Sequence, residues 1–190
     1  MPIGTRSLLF GAHQFAIHPW FVAAAWWHLY GFPWDPRLWV AFFVHDLGYW
    51  GKPNLDGPEG ETHPELGARL MGRLFGPEWH DFCLLHSRFY SKRLGRPFSR
   101  LCVADKLAIA LTWLWLYIPM TRLTGELAEY RKGQRGRTEI VDGESDRDWC
   151  RHVQAYCRAW AWEHRDGRED TWTPPAAPAA PAKAGSRADG

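Results

Sequence analysis

Val40-Ala41-Phe42-Phe43-Val44-His45-Asp46-Leu47-Gly48 is the stretch on which the reading of the fold turns. An apolar run that belongs in a core ends in two adjacent metal-ligand side chains and then a glycine. A histidine beside an aspartate in apolar surroundings is costly unless both are satisfied, because a lone buried charge costs several kcal/mol or titrates away. A bound cation satisfies both at once. The question for the remaining sequence is whether it supplies the other ligands.

Working outward, proline and glycine divide the chain into helical segments, and no stretch alternates as a strand. Ile17 to Tyr30 reads as a helix with Pro19 in its first turn, ended by Gly31, Pro33 and Pro36. Pro36 opens the helix that runs through Leu38 to His45 and stops near Gly48. A loop rich in glycine, proline and acid covers Gly51 to Gly60. Thr62 with Glu65 has the spacing of a capping box, and His63 to Met71 continues as a helix. Pro77 to Phe89 predicts another helix, followed by a basic turn around Gly95 to Pro97. Ser99 is placed to cap a long apolar helix through Leu114, broken by Pro119. Thr121 to Arg131 reads as a shorter helix, Gly133 to Gly143 as a polar loop, and Trp149 to His164 as amphipathic. The fold class is all-α: a helical domain over residues 1–172, with a disordered Pro/Ala-rich tail over 173–190.

Composition sets the remaining bounds. The chain of 190 residues is long enough for one domain with a real core. With 23 basic and 21 acidic residues the net charge is +2, which gives no nucleic-acid signal. Cys83, Cys102, Cys150 and Cys157 include no CxxC pair and read as reduced, mostly buried thiols, which implies a cytoplasmic location. No apolar run is long enough to serve as a transmembrane segment. Thirteen tryptophans have two readings: a large aromatic core, or an aromatic-lined pocket or membrane-facing surface. Tryptophans left exposed would favour a homodimer.

Nine histidines compete for ligand places. His45 and Asp46 end one apolar helix. His18 starts the preceding helix, and antiparallel packing across a short loop returns it beside His45, with His13 as a substitute. His63 opens the helix after the acidic loop, and His86 follows Cys83-Leu84-Leu85 on an apolar face. Asp105 interrupts Leu101-Cys102-Val103-Ala104 and Leu107-Ala108-Ile109, a poor place for an unpaired carboxylate. His80-Asp81 repeats the dipeptide in a surface setting. His28 lies about 280° round the helix from His18 and faces elsewhere. His152 and His164 read as outer-face residues. Four histidines and two aspartates exceed the needs of one cation and fit two, with Asp46 as the bridge. Imidazole with carboxylate favours transition metals over magnesium or calcium, and the expected cofactor is two divalent ions, iron or manganese.

The order H…HD…H…H…D, carried by His45-Asp46-Leu47-Gly48, His63-Pro64-Glu65-Leu66-Gly67-Ala68 and Val103-Ala104-Asp105, resembles the HD-domain superfamily of metal-dependent phosphohydrolases over roughly Ile17 to Leu116. The resemblance implies an all-α, HD-domain-like bundle, and it carries metal-ligand roles onto His18, His45, Asp46, His63, His86 and Asp105. His63 and His86 resemble the two-metal branch, which holds hydrolases of cyclic dinucleotides and dinucleoside tetraphosphates, and also di-iron oxygenases. Many relatives have lysine after the glycine of HDxG. Here Tyr49 stands there, with Lys52 the nearest replacement, and the GYP signature is absent.

Arg88, Lys92, Arg93, Arg96 and Arg100 lie between His86 and Asp105 with no acid among them. They read either as a solvated basic turn or as an anion clamp, to which Tyr90 and Ser91 add hydrogen bonds. The loop Gly51 to Glu61 is a candidate lid, where Asp56, Glu59 and Glu61 are available to orient water or hold a proton. Together these readings give a metal-dependent phosphohydrolase that turns water on a small anionic, phosphorylated substrate, with Asp46 and Lys52 as catalytic groups. The alternative is an iron-dependent oxygenase acting on a polar or phosphonate substrate. A non-catalytic binding module fits poorly with a complete ligand set.

Overall fold

The computed structural model describes residues 1–134 and 144–169. The expected tail over 173–190 and most of the Gly133–Gly143 loop lie outside the described residues. Among those described, every regular element is helical: α1 (Ile3–Phe10), α2 (His18–Tyr30), α3 (Pro36–Val44), α4 (Pro64–Phe75), α5 (Pro77–Leu84), α6 (Arg88–Leu94), α7 (Arg100–Leu111), α8 (Leu114–Thr124), α9 (Glu126–Gln134) and α10 (Asp146–His164). Short 3-10 turns at Leu47–Tyr49 and Gly60–Thr62 flank the loop between α3 and α4. The all-α expectation holds.

Local chemistry starts and stops the helices near the site. The Asp35 carboxylate accepts the Arg37 N–H at 2.9 Å and Pro36 takes the first helical position, so α3 begins abruptly. Gly31 (φ 87°) ends α2 in a conformation that an L side chain resists. α7 lies at the centre, with α2 and α10 packed on it, while α4 pairs with α5 and also touches α3. Val22, Ala25, Phe42, Met71, Cys83, Leu101, Val103, Ala104 and Ala108 form one buried cluster. Burying a ring such as Phe42 is worth about 2–3 kcal/mol.

Several boundaries differ from the sequence reading. The segment expected as one helix from Pro77 to Phe89 is two, α5 and α6, because Ser87 is extended and the backbone carbonyl of Leu85 accepts the N–H of Ser99 at 2.9 Å. The long apolar helix stops at Leu111 rather than Pro119. Gln154 Nε2 donates to the carbonyls of Ile109 (3.0 Å) and Thr112 (2.7 Å), and Arg158 donates to that of Ala110 at 3.1 Å, so α10 satisfies the end of α7. Pro119 then sits inside α8. The expected helix over Thr121 to Arg131 is divided by Gly125 (φ 86°) between α8 and α9. No capping box forms at Thr62: its hydroxyl donates to the Glu59 carbonyl at 2.8 Å, while Glu65 accepts from the Tyr90 hydroxyl. Helix α1 was not anticipated. His164, expected on an outer face, is buried, stacked on Trp160 at 4.2 Å.

The tryptophans divide between the two readings. Trp26, Trp149 and Trp160 are buried, whereas Trp20, Trp27, Trp34, Trp50, Trp113, Trp115 and Trp162 are exposed. All four cysteines are buried thiols outside any disulfide. No single helix among the described residues is long and apolar enough to cross a membrane. α7 and α8 pass that test only as a pair bent by 102°.

Gly48 is where the fold and the motif meet. A Cβ there would lie 1.9 Å from the His63 carbonyl oxygen, so only glycine lets the end of α3 approach the start of α4. We expect Gly48→Ala to lower stability by about 2–3 kcal/mol, read as a fall in Tm, and to reduce bound metal by displacing His63.

Candidate metal centre

Six side chains from five segments converge. His18 opens α2, His45 and Asp46 follow α3, His63 precedes α4, His86 sits in the break between α5 and α6, and Asp105 lies within α7. His18, His45, Asp46, His63 and His86 are buried and Asp105 is half-buried. They form two groups that share Asp46: His18, His45, Asp46 and Asp105, and Asp46, His63 and His86, with the ligand atoms of each within 4.8 Å of one another. All six residues expected as ligands are brought together.

The two oxygens of Asp46 serve different groups. Oδ2 lies 3.1 Å from His45 Nε2 and 3.5 Å from His18 Nε2. Oδ1 lies 3.6 Å from the Nε2 atoms of both His63 and His86. Asp105 Oδ1 closes the first group at 3.0 Å from His18 Nε2 and 3.9 Å from His45 Nε2.

The outer nitrogens explain the orientation of the rings. His45 Nδ1 meets the Phe42 carbonyl at 2.9 Å, His63 Nδ1 that of Gly60 at 2.8 Å, and His86 Nδ1 that of Cys83 at 2.5 Å. A carbonyl only accepts, so each Nδ1 carries a proton and donates it to the residue three positions earlier. In the neutral imidazole Nε2 then presents a bare lone pair inward, the arrangement that orients histidine on a metal. The Nε2 atoms of His63 and His86 face each other at 3.1 Å, which is unfavourable for two lone pairs unless positive charge lies between them. Meanwhile His18 Nε2, His45 Nε2 and Asp46 Oδ2 are buried without a hydrogen-bond partner, although the groups around them are 3.0–3.5 Å away. Close donor atoms aligned on a common point rather than on one another fit a cation in each group.

The electrostatics of the two groups differ. Burial alone would lower the His45 imidazole, but the charges of Asp46 and Asp105 overcome it and raise its pKa to about 10. Burial opposes ionisation of Asp46 and Asp105, yet the surrounding imidazoles hold both carboxyls well below the usual range. His63 is pushed down to about 3 by burial and by His86. The first group thus attracts positive charge strongly, and the second offers neutral imidazole.

Around the ligand residues lie further groups, of which the sequence reading passed over Lys106 and Glu126. Tyr49 stacks on His63 at 4.1 Å and packs against His13 at 4.5 Å. His13, proposed as a substitute for His18, instead belongs to a buried network in which Glu126 accepts from Ser7, from Thr124 (2.6 Å) and from the Ala12 N–H (2.9 Å). Lys106, the neighbour of Asp105, is half-buried, and its charge acts with that of Arg88 on Glu61. Burial and Asp56 push the Glu61 carboxyl up to about 7 against those two cations. The signal for Lys106 was present, a cation adjoining a ligand inside an apolar helix, whereas that for Glu126 lay over a hundred positions from its partner Ser7.

The expected anion-binding residues disperse. Arg88 stacks over Trp160 at 5.2 Å, and Lys92 is half-buried on α6. Tyr90 is buried with its hydroxyl on Glu65. Arg93 is exposed over Phe89, Arg96 pairs with Asp81 at 2.7 Å, and Arg100 lies over Tyr30. Lys52 donates to the Thr62 hydroxyl, one residue before His63. Asp81 is also paired with His80 at 3.0 Å, outside the cluster, as expected for a surface dipeptide.

Searches against protein-family models, curated proteins and solved structures give no match to this chain. The reading of the centre therefore rests on its own donor set. Asp46→Ala should abolish bound transition metal, measured by elemental analysis of the purified protein, because it removes the donor common to both groups. Asp81→Ala should leave the metal content unchanged; loss of metal on that substitution alone would move the site to the His80-Asp81 pair.

Proposed function

We propose that this chain is a dinuclear, metal-dependent phosphohydrolase of the HD-domain type, acting on a small phosphorylated substrate. The observation that carries the reading is the pair of ligand groups sharing Asp46, one oxygen to each. Two cations held in this way would lower the pKa of a coordinated water and offset negative charge on the phosphoryl oxygens. Hydrolysis needs no side-chain nucleophile: the oxygen of water bonds to phosphorus as the bond to the leaving oxygen breaks. One water proton ends on the leaving oxygen and the other on the phosphate.

The chain's own residues supply position and charge. The Nδ1–H bonds to the carbonyls of Phe42, Gly60 and Cys83 hold His45, His63 and His86 with Nε2 inward. Lys106, half-buried on α7 directly after the ligand residue Asp105, is the cation we assign to the substrate's phosphoryl oxygens. Arg93 and Arg96, turned to Phe89 and Asp81, contribute less.

The test begins with protein purified without added metal, assayed on phosphomonoesters, phosphodiesters and nucleotides in air and under anaerobic conditions. Expected are about two equivalents of iron or manganese per chain and phosphate release that is equal in both atmospheres. Oxygen-dependent turnover without phosphate release would replace the proposal with the oxygenase reading. Within the hydrolase reading, Lys106→Ala should raise KM about tenfold or more, with bound metal unchanged, since a charge-assisted contact to phosphate is lost. An unaltered KM would remove Lys106 from the binding site.

A further inference from the structure

The exposed rings of the first fifty residues form a connected surface. Trp34 meets Phe32 at 4.5 Å, Phe32 meets Trp27 at 5.8 Å and Trp39 at 6.4 Å, Trp39 meets Trp20 at 5.7 Å, and Trp20 meets Phe43 at 5.9 Å. All but the half-buried Trp39 are exposed, and Trp34, between α2 and α3, keeps 84% of its surface in solvent. Leaving so many aromatic rings in water is costly, and contiguous exposed apolar area marks a surface with a partner.

The charge distribution identifies the partner. From Met1 to Gly51 there are only two carboxylates, Asp35 and Asp46, so 19 of the 21 acidic residues (21 − 2) lie beyond this segment. Asp46 is buried among the ligand histidines, and Asp35 is closed by a two-pronged ion pair with Arg37, at 2.7 to 3.0 Å. The segment that carries the aromatic face therefore brings no free carboxylate of its own to repel phosphate groups, and the nearby Glu78 of α5 lies within electrostatic reach of Arg37. Its rings are mainly tryptophan, whose apolar body and polar N–H suit the boundary between lipid headgroups and acyl chains. An isologous pair of chains needs a face that complements itself in shape, whereas a fluid bilayer takes up protruding rings without a matching groove. No single helix among the described residues is long and apolar enough to span the bilayer, and the contact considered is with its surface.

We propose that the face made by Trp20, Trp27, Phe32, Trp34 and Phe43 docks the protein on the surface of a phospholipid bilayer. Ring insertion is the main contribution, and binding is only weakly sensitive to salt. The proposal does not depend on the chemistry of the metal centre.

Its test is co-sedimentation of the full chain with vesicles of phosphatidylcholine alone and of phosphatidylcholine mixed with phosphatidylglycerol. Expected are binding to both, a blue shift of tryptophan emission, and quenching by lipid brominated on its acyl chains. The Trp27→Ser/Trp34→Ser double variant should bind about tenfold more weakly or worse, with helix content and bound metal unchanged. Absence of pelleting overturns the proposal, as does equal pelleting by the double variant. Binding only to the anionic vesicles and lost in salt would make the contact electrostatic and overturn ring insertion. A dimer in solution that the double variant converts to monomer would assign the face to a second copy of the chain instead.

Discussion

The Asp46 carboxylate is the constraint on which the remaining structure depends. It is buried, and imidazoles approach it on both sides: His18 and His45 at one oxygen, His63 and His86 at the other. Desolvating a carboxylate costs several kcal/mol unless opposite charge is fixed close by. Three of the four imidazoles commit an Nδ1 proton outward to a backbone carbonyl, which leaves their Nε2 atoms facing Asp46. Cations held by Asp46 and the inward-facing histidines would satisfy these groups together. The cluster is thus better understood as a preformed donor set than as a network of internal hydrogen bonds.

The helices are arranged so that this donor set can close. α3 must end at His45 and α4 must begin at His63 with their backbones nearly touching, and Gly48 permits it. Gly67 allows the same on the next turn, where a Cβ would lie 2.5 Å from the Val44 carbonyl oxygen. His86 reaches the centre because the chain bends between α5 and α6, where the Cys83 carbonyl accepts both the His86 backbone N–H (3.3 Å) and its Nδ1–H. At the far side, the buried Glu126 ties Ser7, Ala12 and Thr124 together, which fixes the segment that leads into His18.

These observations explain what could be read from the residues and what could not. The helix class and the six side chains that converge were legible, because proline and glycine mark the segments and a carboxylate such as Asp105 has few reasons to interrupt an apolar run. The ends of α5 and α7 were not. Each is set by a partner distant in sequence, Ser99 for Leu85 and Gln154 and Arg158 for the last carbonyls of α7. The basic turn was equally opaque: five cations in a row look like one patch, but Asp81 draws Arg96 aside and Trp160 receives Arg88. The number of tryptophans told nothing of their division, since Trp26 and Trp27 are neighbours with opposite fates.

That last division follows from helical geometry. Successive residues turn by about 100°, so positions two apart face nearly opposite sides. His18 points into the centre and Trp20, two residues on, points to solvent; Phe43 and His45 repeat the relation at the end of α3. The ring pair Trp20–Phe43 therefore lies behind the histidine pair His18–His45, whose rings are 5.4 Å apart, on the same two helices. One helix pair serves both surfaces without competition for positions. The inner face is fixed by the donor set, and the outer face is free to be as aromatic as an external surface requires. A helix with apolar residues all round and little amphipathic contrast, as α2 is, ordinarily signals complete burial. Here it accompanies two different settings, one face in the core and the other exposed to solvent.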